Sequence, residues 1–297
     1  MVMTKHNFGV QNTTNKDFSI ENASETAYLM AYFRGKESRR HDALFCDPYA
    51  ELLAGGRGEY LAKSSPYDKH GSLSVSVRTC ILDEIILRLI KEYEVDTVLN
   101  LGAGLDTRPY RLNLPAIFRW IEVDLPDILV YKEEKLAGVK PVCELYTVRT
   151  DLSNDSAAKS LFSEVGLGNK KVLVLSESLL TSLSEENVRT LAESLHQQTN
   201  FAWWLMDLMT PALSRLIFQS KVDDVSRFHF EPEEGPAFFA TLGWEVAEIR
   251  SMVKEAHRLQ RETTAAWLSQ LLMALVPIPK KKLYRKFDSY VVLLARV

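Results

Sequence analysis

From residue 96 onward the chain alternates short apolar, β-rich runs with helical stretches, and few architectures accept that rhythm. The runs are DTVLNLGAG, FRWIEVDLP, ELYTVRTDLS, KKVLVLSESLL and FAWWLMDLM, with helical patterns over 126–137, 155–165 and 184–198 between them. Strands buried on one face alternate apolar and polar residues; these runs are almost continuously apolar. They therefore read as parallel strands covered by helices on both faces, an α/β fold. Two further runs, GWEVAEIRSM and DSYVVLLARV, flank a long insert, and the second is the last segment of the sequence.

The first 95 residues have a different character. Residues 1–22 are polar and rich in Asn and Thr. In SETAYLMAYFRGKES, Ala27, Met30, Ala31 and Arg34 recur at the spacing of one helix face. DPYAELLA opens another helix, with Asp47 as its cap and Pro48 at its first position. A third fits SLSVSVRTCILDEIILRLIKEYE, where Val77, Ile81, Leu82, Ile85, Leu89 and Ile90 share a face. The division expected is an N-terminal arm and helical cap over 1–95 and a core over 96–297.

Composition excludes several classes. A formal net charge of -3 gives no electrostatic footprint for nucleic acid. The dense basic cluster Lys280-Lys281-Lys282, with Arg285 and Lys286, reads as a solvated loop. Cys46, Cys80 and Cys143 lack C-x-x-C spacing and read as free thiols, with neither a disulfide framework nor a metal site. No apolar run approaches the ~20 residues that span a bilayer, and the N-terminus lacks a leader's apolar stretch, so a soluble cytoplasmic protein is expected.

In an open α/β sheet, ligands sit outside the carboxyl ends of the strands. Gly102-Ala103-Gly104 follows the first run; glycines there can adopt positive φ and let the backbone pass close to a ligand. A nucleotide, a dinucleotide, a methyl-donating nucleoside or a plain tight turn all fit two glycines. Asp124 ends the second run, 20 residues after Gly104, where a carboxylate can accept from both hydroxyls of a ribose. Asp151-Leu152 ends the third, able to meet the amino group and face of an adenine, and Glu177 ends the fourth. The dinucleotide fingerprint needs a third glycine where this chain has Thr107, and no phosphate loop of the G-x-x-x-x-G-K-S/T form occurs. A nucleoside without phosphates, carrying a sulfonium and an amino-acid tail, suits the acids better.

LGAGLDTRPYRL, EVDLPDILVYKEEKL and SESLLTSLSEENV resemble the motifs of the leucine carboxyl methyltransferase family, as TAYLMAYFRGKESRRHDALFCDPYAELL resembles the N-terminal region of its bacterial polyketide-type O-methyltransferase members. Val77-Arg78-Thr79 matches an arginine motif on the following helix. The resemblance implies a Rossmann-like seven-strand sheet, mostly parallel with an antiparallel C-terminal edge strand. It also implies a helical cap, and lid inserts near 210–235 and 254–285. The implied cofactor is S-adenosyl-L-methionine, leaving as S-adenosyl-L-homocysteine. By position, Arg78 would grip the methionine carboxylate, Gly102 and Gly104 would pass the methionine portion, and Asp124 would take the ribose hydroxyls. Asp151 and Leu152 would contact the adenine, and Glu177 the amino group. Arg34 falls near the family's N-terminal basic position. Two departures stand out: Asn100 where many methyltransferases have an acid, and Ser182, in LLTSL, where members often have a tyrosine.

The reaction implied is O-methylation of a small-molecule carboxylate or hydroxyl. A carboxylate needs no general base, whereas a hydroxyl does. His41, His229 and His257 are the candidate bases, and Tyr28, Tyr110 and Tyr290 could orient an acceptor. Arg108 and Arg111 could pair with an anionic acceptor or with Asp106, and Arg227 with His229 could face the pocket from a lid. Trp203-Trp204 and Phe238-Phe239 read as core aromatics. Methyl esterification of a protein C-terminal carboxylate, a nicotinamide oxidoreductase and a non-catalytic cofactor-binding protein remain as alternatives. The first 22 residues are expected to order, at least in part, over the bound cofactor. Nothing in the sequence fixes the acceptor or the oligomeric state.

Overall fold

The computed structural model describes residues 23–64, 68–168, 171–217, 229–262 and 288–297. The N-terminal arm, Arg227, the basic cluster around Lys280-Lys281-Lys282, part of the first expected insert and most of the second lie outside these residues.

Three helices come first: α1 (Ala23–Ser38), α2 (Ala50–Ser64) and α3 (Asp68–Tyr93). Asp47 caps α2 as its sequence position suggests, one carboxylate oxygen accepting from the Tyr49 and Ala50 backbone N–H groups at 3.2 and 3.0 Å. The helix runs on past the DPYAELLA segment, broken at Gly55, whose φ of 52° interrupts the helical path. Then follow β1 (Thr97–Leu101), α4 (Arg108–Arg111), β2 (Arg119–Asp124), α5 (Pro126–Lys135), β3 (Glu144–Arg149), α6 (Asp155–Gly166) and β4 (Val172–Ser176). After β4 come a 3₁₀ turn (Leu180–Ser182), α7 (Glu185–His196), β5 (Phe201–Met209) and α8 (Pro211–Ile217). A second 3₁₀ segment (Gly235–Leu242) leads into β6 (Trp244–Ser251), α9 (Met252–Arg258) and β7 (Ser289–Arg296).

The seven strands form one sheet in the order β3-β2-β1-β4-β5-β7-β6. Strands β1 to β5 pair in parallel, and β7 is antiparallel to both neighbours. The C-terminal strand is thus the antiparallel one, as expected, set one place in from the edge with β6 outermost. Chain order reverses between β1 and β4, which creates the crevice where ligands bind in such sheets.

The two-residue period of each strand divides its side chains between two helical layers. Leu99, Leu101, Val172 and Val174 pack with Phe162 of α6 and Leu191 and Leu195 of α7. Val98, Leu173, Leu175 and Leu205 pack on the other face against Val77, Ile81, Leu82, Ile85 and Leu89 of α3. Burying each such side chain is worth about 1.5–3 kcal/mol, and this packing seats α3 on the sheet. Trp204, Phe238 and Phe239 are core residues, and Trp204 Nε1 donates to Ser176 Oγ at 3.0 Å. Trp203 packs edge-on against Tyr93.

One buried pair breaks the apolar pattern. Glu122 of β2 accepts from Lys132 Nζ of α5 at 2.6 Å, with side chains only 1% and 2% exposed, and its second oxygen has no partner among the described residues. Among the described residues no helix is long and apolar enough to cross a membrane.

Candidate functional site

The end of β1 turns sharply over the end of β2. Gly102 and Gly104 take φ of 67° and 48°, values that cost a residue with a Cβ. The Gly102 and Ala103 N–H groups both donate to Val123 O, and the Gly104 N–H donates to Asp124 Oδ2 at 2.6 Å. Close packing holds the glycines as well: a Cβ on Gly102 would lie 3.1 Å from Leu179, and one on Gly104 3.1 Å from Ala27. Asp124 also accepts from the Leu125 N–H, and it makes no ion pair among the described residues. Burial pushes its carboxyl up, against those two backbone donors. It is a desolvated acceptor with lone pairs to spare, as a ribose diol requires.

The second part of the site is a chain of alternating charges. Arg34 donates to Asp47, which also accepts from Thr107 Oγ1 and lies 3.9 Å from Arg111. Arg111 pairs with Asp83, and Asp83 with Arg108 at 2.6 Å. Arg108 continues to Asp106 at 2.9 Å and to Glu177 at 2.8 Å; Arg78 then joins Glu177 at 2.9 Å to Asp207 at 3.0 Å. Among the described residues four guanidinia of this chain thus face five carboxylates, one negative charge in excess before Asp124 is counted. Burial alone would raise Glu177 and Asp106. The Arg108 and Arg78 charges outweigh it at Glu177, and Arg108, Lys132 and Arg34 at Asp106, holding both carboxyls below their ordinary range.

The sequence positions sort accordingly. Gly102, Gly104 and Asp124 meet at one point, and Arg78 with Glu177 at another. Asp151 is exposed, its carboxylate turned back to the Ser153 N–H, and Leu152 packs against the α6/α7 core. Arg108 and Arg111 are committed to Asp83, Asp106 and Glu177, which resolves their two readings in favour of internal pairing. Arg34 also braces the glycine loop, donating to Leu105 O at 2.5 Å. Asn100 is buried and donates to Asp106, so an acid that the strand end lacks arrives from the loop instead. His41 and His257 have side chains 95% and 71% exposed, and His229 is exposed, with its backbone N–H donating to Thr181 O.

Sequence reasoning missed Asp207, Asp83 and Asp47 as members of this network. Asp207 carried a signal: an acid inside the apolar run WWLMDLM must find a partner if the strand is buried. One stripe of α1 closes the site from above. Ala27 lies against Gly104, Met30 Sδ meets Arg78 Nη2 at 3.3 Å, and Arg34 holds Leu105.

Comparison with known proteins points in the same direction. The family model described as leucine carboxyl methyltransferase matches residues 27–196, more than half of the chain. A Saccharopolyspora erythraea protein with the provisional description S-adenosyl-L-methionine-dependent methyltransferase is 38% identical over 141 residues, 45% of this chain and 49% of that one. A Streptomyces coelicolor protein so described is 32% identical over 186 residues, 59% of this chain and 64% of its own length. The matched stretches therefore span less than two thirds of these relatives. A crystal structure of a DUF574-family protein from Streptomyces avermitilis covers 92% of this chain and 97% of its own at 13% identity, with a TM-score of 0.54. A Thermobifida fusca structure, provisionally titled a methyltransferase, covers 94% and 96% at 14% identity and a TM-score of 0.53. At those identities the two structures share the fold.

Proposed function

Because the chain belongs to the leucine carboxyl methyltransferase family, we propose that it is an S-adenosyl-L-methionine-dependent O-methyltransferase acting on a carboxylate or hydroxyl of a small metabolite. The observation that carries this reading is the paired arrangement at the strand ends: a glycine loop locked to an unpaired, desolvated Asp124, beside a charge chain with excess negative charge. A donor with an uncharged nucleoside, a zwitterionic tail and one sulfonium matches both parts. A phosphate-bearing cofactor would meet a surplus of carboxylates, because the guanidinia of the charge chain are each already paired with one or more of them.

The bound donor supplies a methyl group on a positively charged sulfur. Asp124 would accept from the ribose hydroxyls, with the Gly104 N–H fixing the direction of its carboxylate. Arg78 would meet the amino-acid carboxylate and Glu177 the ammonium, while Asp151 and Leu152 would flank the adenine. The contribution of these residues is alignment and exclusion of water, which is most of what an in-line displacement requires. A carboxylate acceptor is already ionised at neutral pH, and the exposed positions of His41 and His257 favour it over a hydroxyl that needs a base.

Calorimetry with S-adenosylmethionine, S-adenosylhomocysteine and NAD tests the cofactor. Saturable binding of the first two and none of NAD is expected; absence of binding by either sulfur nucleoside would refute the assignment. Turnover of labelled donor against a panel of small carboxylic acids and phenols then tests the acceptor, with transfer only to a protein C-terminus as the opposing result.

A further inference from the structure

Asp207 stands at the carboxyl-terminal half of β5, and its two oxygens do different jobs. One accepts from Arg78 Nη1 at 3.0 Å; the other accepts from the Ser178 N–H at 2.6 Å. Ser178 follows Glu177 directly and has φ of 59°, a left-handed conformation that a serine holds only when its surroundings fix it. A single carboxylate therefore sets both the guanidinium of Arg78 and the turn that presents Glu177. Arg78 is left with a definite orientation: Nε on Glu177, Nη1 on Asp207, and Nη2 against Met30 Sδ. Both paired edges of the guanidinium already carry a protein carboxylate, so neither offers an empty bidentate site. The thioether is a weak acceptor, and an incoming carboxylate displaces it readily.

We propose that Asp207 is a positioning residue that aims the Nη2 corner of Arg78 at the carboxylate of the donor's amino-acid tail, so that this tail lands by displacing the Met30 sulfur. The inference rests on the cofactor reading above and goes beyond it, since it names the group that orients Arg78 and the corner at which the tail binds. Only nucleosides with an amino-acid tail should sense Asp207; the nucleoside itself is held at Asp124, over another pair of strands.

Two probes separate these halves. S-adenosylhomocysteine carries the zwitterionic tail, whereas 5′-methylthioadenosine has the same nucleoside and thioether without the ammonium and carboxylate. Loss of one negative charge at Asp207 helps the tail's carboxylate and hurts its ammonium, so charge effects cancel to first order and orientation remains. Calorimetry should show Asp207→Asn weakening S-adenosylhomocysteine by about 10-fold or more, the scale of one hydrogen bond between charged groups. Methylthioadenosine should stay within about 2-fold, the thermal-noise end of the same scale. Asp207→Glu keeps the charge and moves the carboxylate by one methylene, and the same selective loss is expected. Equal weakening of both ligands would reduce Asp207 to a structural role, and unchanged S-adenosylhomocysteine affinity in either variant would overturn positioning. Failure of the wild-type protein to bind either probe would instead sink the cofactor reading.

Discussion

Replacing Lys132 by Met would leave the Glu122 carboxylate buried with no cation beside it. The two side chains are 1% and 2% exposed and meet at 2.6 Å, while Glu122 Oε2 already lacks a partner among the described residues. Breaking such a pair from one side costs about 3–5 kcal/mol, a large part of the roughly 5–15 kcal/mol by which a domain is stable. The pH dependence has a definite sign. Burial pushes Glu122 from 4.5 up to about 7 even with Lys132 holding it down. A carboxyl raised in the folded state binds its proton more tightly there than in the unfolded chain. Its stabilising contribution is therefore complete below the unfolded value and lost as pH rises through about 7, on the order of 3 kcal/mol in all. Removing Lys132 raises the group further, so the deficit of the variant should be largest at about pH 8.5 and shrink at about pH 6, where Glu122 takes up its proton. Urea unfolding of wild type, Lys132→Met and the double variant Glu122→Leu/Lys132→Met at those two pH values measures this. The double variant should recover to within about 1–2 kcal/mol of wild type or exceed it, because two well-packed apolar groups replace two desolvated charges. A deficit that does not change with pH, or a double variant no better than the single, would refute the reasoning.

Other outcomes follow from the site. Arg78→Ala should weaken S-adenosylmethionine by about 1.5–3 kcal/mol in calorimetry, and unchanged affinity would remove its assigned role. Gly104→Ala forces a Cβ into a backbone with φ of 48° and to 3.1 Å from Ala27, costing about 1–2 kcal/mol; a thermal melt with no drop in Tm would count against that packing. Asp47→Ala strips Arg34 and Thr107 of a shared partner and removes the α2 cap, so a loss of about 3–5 kcal/mol in denaturant unfolding is expected, and a loss below about 1 kcal/mol would show that the hub is dispensable.

The central parallel strands could be read from the chain because burial on both faces removes the polar alternation, as Val172 to Leu175 show, whereas the antiparallel C-terminal strand was implied only by the family resemblance. The glycine loop and Asp124 could be read because backbone conformation and chain spacing are local properties. Arg78, by contrast, was placed only through a family motif. The partners of its neighbours were invisible: Arg108 reaches Asp83 and Glu177 across 25 and 69 residues, and no period or spacing encodes such pairings. Arg111 shows the same limit, since a guanidinium on a loop looks the same in sequence whether it awaits a substrate or is already neutralised. The acid in β5 was legible in principle, as a charge inside a buried strand, and its role emerged only when Ser178 and Arg78 converged on it.

The stripe of α1 that carries Ala27, Met30 and Arg34 touches Gly104, Arg78 and the carbonyl of Leu105. On the proposed reading the first helix is therefore part of the roof over the donor, although it lies in the N-terminal helical cap. Anyone recombining members of this family to alter what is methylated should place the crossover after this helix. A graft that brings a foreign α1 would trade donor fit along with acceptor choice, and the two losses would be confounded in any screen that reads turnover alone.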